Sequence, residues 1–335
     1  MKKKSKSIIK VTSVILILSC ILCVLALISI SIGSARYSLR DIMTNLLTEE
    51  SNPIKIIIYN LRLPRIISAI LIGAALSVGG ALLQSVMRNP LADPGTIGVS
   101  AGAGTAATTI LLLFPHMTTA VPIFAFGGAA LACGLIYLLA WKGGVDPVRI
   151  ILSGVAINSV LGGYNGFLQM LYSDNLQGVL GFMNGSLSGR SWSDVKTLAI
   201  YVIIGLFLAL ICIKSANALQ LGDEMAKNLG INVNLSRIAL SAVSAFLAAA
   251  TVSVAGMIGF VGLVVPHIAR MIVGSDYKIM IPTSMLLGAV VLLFADTVGR
   301  TLVPGMDIPV GTIMSMVGGP FFLYMLRKKG KISGN

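Results

Sequence analysis

Residues 94–141 form a run of 48 without a single Asp, Glu, Lys or Arg. Seven more uncharged runs cover 11–35, 66–87, 150–173, 197–213, 238–269, 279–295 and 308–326. A helix crosses the hydrocarbon of a bilayer in about 20 apolar residues. The run 94–141 is broken by Phe114-Pro115-His116, and 238–269 holds Gly256 and Gly259 at its middle, so each is read as two spans. Ten helices are therefore predicted, at roughly 8–32, 61–86, 96–114, 119–141, 148–172, 195–214, 236–256, 258–273, 279–299 and 308–326. Only 11% of the residues are charged, against about 25% in soluble domains. The fold class expected is an all-α polytopic membrane protein, with residues 1–335 forming one transmembrane domain.

Charge sets the expected orientation. If the N-terminus is cytoplasmic, 17 of the 25 basic residues fall on that side, including Lys2, Lys3, Lys4, Lys6, Lys10, Arg88, Lys142, Arg149, Lys214, Lys227, Arg237, Arg270 and Lys278, then Arg327, Lys328, Lys329 and Lys331. This is the positive-inside asymmetry, so both termini are expected in the cytoplasm. The net charge of +13 is thereby a topology signal, and no nucleic acid is called for. The Lys-rich start and the small residues Gly33-Ser34-Ala35 have the look of a cleaved signal. The apolar run, however, exceeds the roughly 7–15 residues of a signal core, so the first helix is read as an uncleaved span.

Several chemical motifs fail in context. Gly98-Val-Ser100-Ala-Gly102 fits the nucleophile-elbow spacing, but that chemistry needs a strand, a turn and a histidine; helix packing through the glycines is the better reading. Gly102-Ala-Gly104-Thr-Ala-Ala107 follows no strand, as a dinucleotide fingerprint must. Cys20 and Cys23 have CxxC spacing without a second pair. His116 and His267 fall on opposite predicted sides with no carboxylate at ligand spacing, so no metal or cofactor is expected. The chain also lacks a GxxxxGK[ST] phosphate loop. If it is a pump, its motor is another polypeptide.

Three features survive. Within the polar interruption 215–235, Leu221, Met225 and Leu229 form one apolar stripe on a short helix that Asp223 and Glu224 begin and Gly230 closes. It is either a connector or an element that fits a groove in a cytoplasmic partner. The inner loop Met87-Arg-Asn-Pro-Leu-Ala-Asp-Pro-Gly95 is a rigid turn in which Asp93 is placed to pair with Arg88. At the outer lip stand Arg62, Arg65 and Arg300, with Asp296 one turn before Arg300. Snorkelling explains one arginine at an interface better than it explains three.

These residues resemble a known family. Arg62-Leu-Pro-Arg65, the run Ile72 to Gln84, Asn89-Pro-Leu-Ala-Asp-Pro-Gly95 with Gly98-Val-Ser-Ala-Gly102, Leu221 to Gly230, Gly259 to His267 with Arg270, Ala295-Asp296 with Arg300, Ile308 to Gly311 and Gly318-Gly-Pro320 are similar to FecCD-type permeases. These are the membrane subunits of ABC importers for iron–siderophore, haem and cobalamin. The resemblance runs from about residue 34 to 326. It implies the ten-helix type II ABC importer permease fold, embedded in lipid of the cytoplasmic membrane and paired with a second permease, identical or paralogous. Two ATPase subunits are implied below and an extracytoplasmic substrate-binding (lipo)protein above.

The resemblance assigns Leu221, Gly222, Asp223, Glu224, Met225, Ala226, Leu229 and Gly230 to the element that couples to the ATPase. Arg62 and Arg300, with Arg65 beside them, are implied to receive acidic side chains of the binding protein. The gate position carries Asp146, Pro147 and Val148 in place of a hydroxyl-rich sequence. The implied function is transport of an iron–siderophore complex, with haem or cobalamin as the alternative cargo, and no catalysis by the chain itself. A path without carboxylates or paired histidines suits a bulky chelate better than a bare ion. An ion-coupled carrier would need acidic groups at the midplane, and Asp296 lies near the outer end of its span. An intramembrane hydrolase would need a Ser–His or paired-Asp constellation at depth, which the sequence does not place there.

Overall fold

The computed structural model describes residues 2–33, 37–47, 52–95, 98–142 and 144–330. Ser34 and Ala35, Thr96 and Ile97 at the expected start of the third span, and Lys331 lie outside the described residues. Among the described residues, seven helices are long and apolar enough to cross a membrane, and three shorter apolar helices accompany them. Together they match the ten expected segments.

The first span is α1 (Lys2–Ser31), followed by the short amphipathic α2 (Leu39–Leu47). The second begins earlier than the sequence suggested. α3 (Pro53–Ile56) runs through a π-helical stretch, Ile57–Arg62, straight into α4 (Leu63–Met87). Next come α5 (Val99–Leu113), α6 (Val121–Ala140) and α7 (Pro147–Leu171). A short α8 (Leu176–Met183) precedes α9 (Trp192–Ile211), and α10 (Ile213–Gln220) and α11 (Asp223–Asn228) follow. The last four are α12 (Val233–Ala255), α13 (Val261–Val273), α14 (Tyr277–Thr301) and α15 (Val310–Gly330). Short polar side chains fix many of the starts. Asp146, Asn232 and Asp276 cap α7, α12 and α14, and Ser191 with Asp194 closes a reciprocal capping box on α9.

Helix α4 is the axis of the bundle, touching α14, α12, α13 and α9. Its most apolar window is 83% buried and that of α12 78%, against 11% for α1 and 17% for α7. Lipid gives helices no hydrophobic reason to associate, so close backbone approach must supply the contact energy. Small residues permit it. A Cβ on Gly73 would sit 2.2 Å from the Gly288 carbonyl oxygen, and one on Gly80 would sit 1.9 Å from that of Gly262. Hydroxyls bridge the same seams: Ser77 Oγ donates to the Ser284 carbonyl at 2.8 Å, and Ser244 Oγ to that of Gly79 at 2.7 Å. The Gly98–Gly102 pair belongs to a second such seam, between α5 and α6, where Gly102 lies against Gly128.

The break between α12 and α13 is stitched to other broken backbone. Gly256 and Phe260 take positive φ angles of 73° and 67°. The amides freed there need partners, and the chain leaving α8 supplies them. Met257 N–H donates to the Phe182 carbonyl at 2.9 Å, Ser186 N–H to Ala255 at 2.8 Å, and Gly311 N–H to Gly185 at 3.1 Å. Nearby, the loop after α4 folds inward. The Asp93 carboxylate turns inward on a partly buried residue, accepts the Gly95 N–H at 2.8 Å and lies against Gly262. Arg88, paired on sequence grounds with Asp93, lies 3.7 Å from Asp223.

Two outcomes follow from this packing. Gly80→Ala forces backbone apart and is expected to cost about 1–3 kcal/mol or more, whereas Gly127→Ala, with open space around it, is expected to be neutral or stabilising. Thermal unfolding in detergent separates them, and equal midpoints would refute the account of α4. Burial pushes the Asp93 carboxyl up to about 6, the Gly95 N–H offsetting only part of this. The unfolded chain releases that proton first as pH rises, so the charge erodes stability between the unfolded value near 3.8 and the folded value near 6. Asp93→Asn is expected to match the wild type near pH 4 and exceed its thermal midpoint by roughly 2–4 °C above pH 7. A difference that does not change with pH would contradict it.

Candidate functional site

Two polar clusters sit at opposite ends of the bundle. One gathers where α4 begins and α14 ends. Arg65 is its hub, with a side chain 12% exposed, donating Nε to both Asp296 oxygens at 3.0 and 3.1 Å. Its other nitrogens reach Asp307 at 2.6 and 3.0 Å. Asp296, fully buried, is shared with Arg300, whose Nε lies 3.5 Å from it. Burial works to raise the Asp307 carboxyl, but the hydrogen bond and charge of Arg65 outweigh it and hold the group below the usual carboxylate range.

Arg62 and Arg300 turn toward the first helix. Arg300 Nη2 donates to the Ser29 carbonyl at 3.0 Å and to Ser29 Oγ at 2.5 Å. Arg62 donates to the Ile30 carbonyl and stacks its guanidinium 5.1 Å from the centre of the Tyr37 ring. Carbonyls in the last turn of a helix carry partial negative charge and lack helical partners, so two cations there pin α1 to the bundle. All three predicted arginines are thus brought together, and each has internal partners. Three arginines against Asp296 and Asp307 leave one positive charge in excess. Asp307 and Ser29 were missed in the sequence. Their only signal was position, each just outside or at the end of an apolar run.

The other cluster surrounds α11. Asp223 and Glu224 open this helix, and Gly222 and Gly230 flank it with φ of 102° and 75°. The helix proper is shorter than the predicted 221–230. Its apolar stripe faces outward: Leu221, Met225 and Leu229 are 59%, 53% and 58% exposed, while Ala226 is buried. From beneath, Asp223 is held by Arg237 at 2.9 Å and faces Arg88 at 3.7 Å. Met225 on α11, with Leu221 and Leu229 just outside its two ends, forms a built protrusion braced from beneath by the buried Arg237. Close by, Asp146 accepts the Val148 N–H at 2.9 Å and Pro147 takes the first helical position, so the predicted gate residues start α7. Val148 is 62% exposed.

Between α6, α8 and the 186–194 segment, a cavity of about 630 Å³ is lined by Thr119, Ser186, Ser188, Arg190, Asp194 and Gly256. Arg190 was not singled out in the sequence. Its guanidinium donates to the Ser188 and Val254 carbonyls. Among the described residues no three His, Cys, Asp or Glu side chains gather as a metal site.

Asp296 decides the stability of the arginine cluster. Removing one partner of a buried ion pair costs about 3–5 kcal/mol, whereas a half-exposed pair contributes about 0–1. Asp296→Asn is therefore expected to lower the thermal midpoint in detergent far more than Asp307→Asn. Equal effects would show that Asp296 is not the shared counter-ion.

Residues 21–328 match the FecCD transport family. The chain is 41% identical over 328 residues to the Fe(3+)-citrate import system permease protein YfmE of Bacillus subtilis (strain 168), covering 98% of both proteins. It is 40% identical over 301 residues to the Fe(3+)-citrate import system permease protein YfmD of the same organism, covering 90% of each. Its fold superposes with a TM-score of 0.80 and 28% identity on a structure described as an inward-facing conformation of a putative metal-chelate type ABC transporter, covering 95% of this chain and 99% of that one. The ten-helix bundle, with its arginine cluster and its braced α11, is a member of the FecCD transport family.

Proposed function

We propose that this chain is the membrane-spanning permease subunit of an ATP-driven importer for a ferric chelate, with α11 as the element that seats in its ATPase. The observation that carries the reading is the exposed Leu221–Met225–Leu229 stripe, held out by Asp223, Arg237 and Arg88 at one end of the bundle. A monomeric surface has no reason to brace three bulky apolar side chains into water, and helix-in-groove recognition does. The face bearing α11 is cytoplasmic in this reading, with both termini, and residues 1–335 act as one permease domain. The arginine face is extracytoplasmic. Its excess positive charge draws acidic side chains of a substrate-binding protein to Arg62, Arg65 and Arg300, steering docking more than tightening it. Asp146, Pro147 and Val148 mark the cytoplasmic gate.

The cargo follows from two considerations. Both relatives named above are Fe(3+)-citrate import permeases by name, and a bulky oxygen-rich chelate needs no metal ligands from the chain. That two distinct relatives share the name of one import system also favours a paralogous second permease. An ion-coupled carrier is the weaker reading, because Asp296 is committed to Arg65 and Arg300.

Purification of the tagged chain from native membranes is expected to recover a Walker-containing ATPase in about equal amount. Replacing Leu221 and Met225 by Asp is expected to reduce that recovery at least tenfold while the permease still elutes as a monodisperse peak. ATPase recovery unaffected by both substitutions would remove α11 from the interface. Repeated recovery of the chain alone, in detergent that preserves known complexes, would favour a self-sufficient carrier.

A further inference from the structure

The turn before α7 is clipped to the first turn of α12 through both of its central peptide groups. Val145 N–H donates to Asn234 Oδ1 at 3.2 Å, and the Val145 carbonyl accepts from Arg237 Nη1. The same guanidinium reaches Asp223 with its other terminal nitrogen, at 2.9 and 3.1 Å from the two carboxylate oxygens. One planar fork thus spans α11, α12 and the 141–146 turn. Val145 is buried, and the next residue, Asp146, caps α7. The turn is stiffened by an antiparallel bridge between Trp141 and Val145 and by a bond from Arg149 to the Lys142 carbonyl at 3.3 Å.

We propose that Arg237, aided by Asn234, is the positioning residue that transmits displacement of α11 to the start of α7. This rests on the reading of α11 as the ATPase element and of residues 146–148 as the gate. The side chain of Arg237 is 6% exposed. It cannot let go of Asp223 without leaving a buried cation unpaired, and it cannot let go of Val145 without orphaning a buried carbonyl. The three elements therefore move together more cheaply than apart. Only a guanidinium makes this connection: lysine at 237 offers a point charge and can satisfy Asp223 but not both partners in their fixed directions. Asn234 is exposed, so Asn234→Ala removes the second clip without opening a core cavity, at the cost of the one bond to the Val145 N–H.

The test uses the permease–ATPase complex in nanodiscs, with the native cysteines at 20, 23, 133 and 212 replaced by alanine and Val148→Cys as the reporter. Its rate of reaction with a polar maleimide is compared in nucleotide-free and vanadate-trapped complexes, beside ATP hydrolysis. With the linkage intact, the two rates are expected to differ by about tenfold, the scale of ordinary allosteric coupling. In Asn234→Ala the difference is expected to fall below about twofold while hydrolysis continues, and in Arg237→Lys the difference is expected to fall likewise. A merely structural role would lower both readouts together or neither. The full difference persisting in both variants, or absent when the linkage is intact, overturns the proposal. If Arg237→Lys does not yield folded complex, Asn234→Ala decides alone. Failure of the underlying reading shows separately, as ATPase recovery that ignores the Leu221→Asp and Met225→Asp substitutions.

Discussion

Backbone-to-backbone contact along α4 is what the rest of the bundle depends on. With apolar solvent on all sides, burying Leu or Ile against a neighbour helix gains little over burying it in lipid. Stability must come from close packing and from polar groups that lipid cannot satisfy. Gly73, Ser77, Gly79 and Gly80 bring α14, α12 and α13 to contact distance. That proximity then lets deeper polar bonds form, such as Tyr277 Oη to the Ala81 carbonyl at 2.7 Å and Arg270 to Gln84 at 3.2 Å. The polar bonds are consequences of the small residues, since a Cβ on Gly80 would separate the very helices that Gln84 bridges.

The same constraint explains why the irregular backbone is gathered in one place. Breaking a helix inside a membrane frees amides and carbonyls that only protein can satisfy. The chain meets this by letting the end of α8, the gap between α12 and α13, and the start of α15 satisfy one another through Phe182, Gly185, Ala255 and Met257. Three interruptions together are tolerable where any one alone would leave orphaned groups.

The ten spans were legible because each is a local property: absence of charge over a sufficient length. The interfacial arginines and the stripe on α11 were legible for a related reason, since a charge or an apolar triplet out of place needs an account. Their partners were not. Arg65 finds Asp307 across 242 positions and Arg300 finds Ser29 across 271, and nothing local encodes such pairings. The sequence read Arg62 and Arg300 as receivers of a partner's carboxylates, with Asp296 near at hand, and did not show that the folded chain also uses them to hold α1. Helix α8 was unreadable because its residues answer to the backbone at 256–257. The non-glycine positive φ at Phe260 likewise carries no composition signal, although Gly256 nearby did.

Burial divides the molecule into parts with different costs of motion. Helices α4 and α12 are mostly enclosed, and moving either would open several seams at once. Helix α7 is covered by the chain over only 17% of its apolar window, and Gly162, Gly163 and Gly166 face open space. Sparsely packed elements shift at the lowest free-energy cost. A transporter that alternates access needs such an element beside its path, and a rigid body against which to move it. Here the rigid body carries the arginine cluster at one end and braces α11 at the other, while the sparsely packed helix begins at a turn held by Arg237. On the function proposed above, the firmly packed part receives partners and the thinly packed part responds to them.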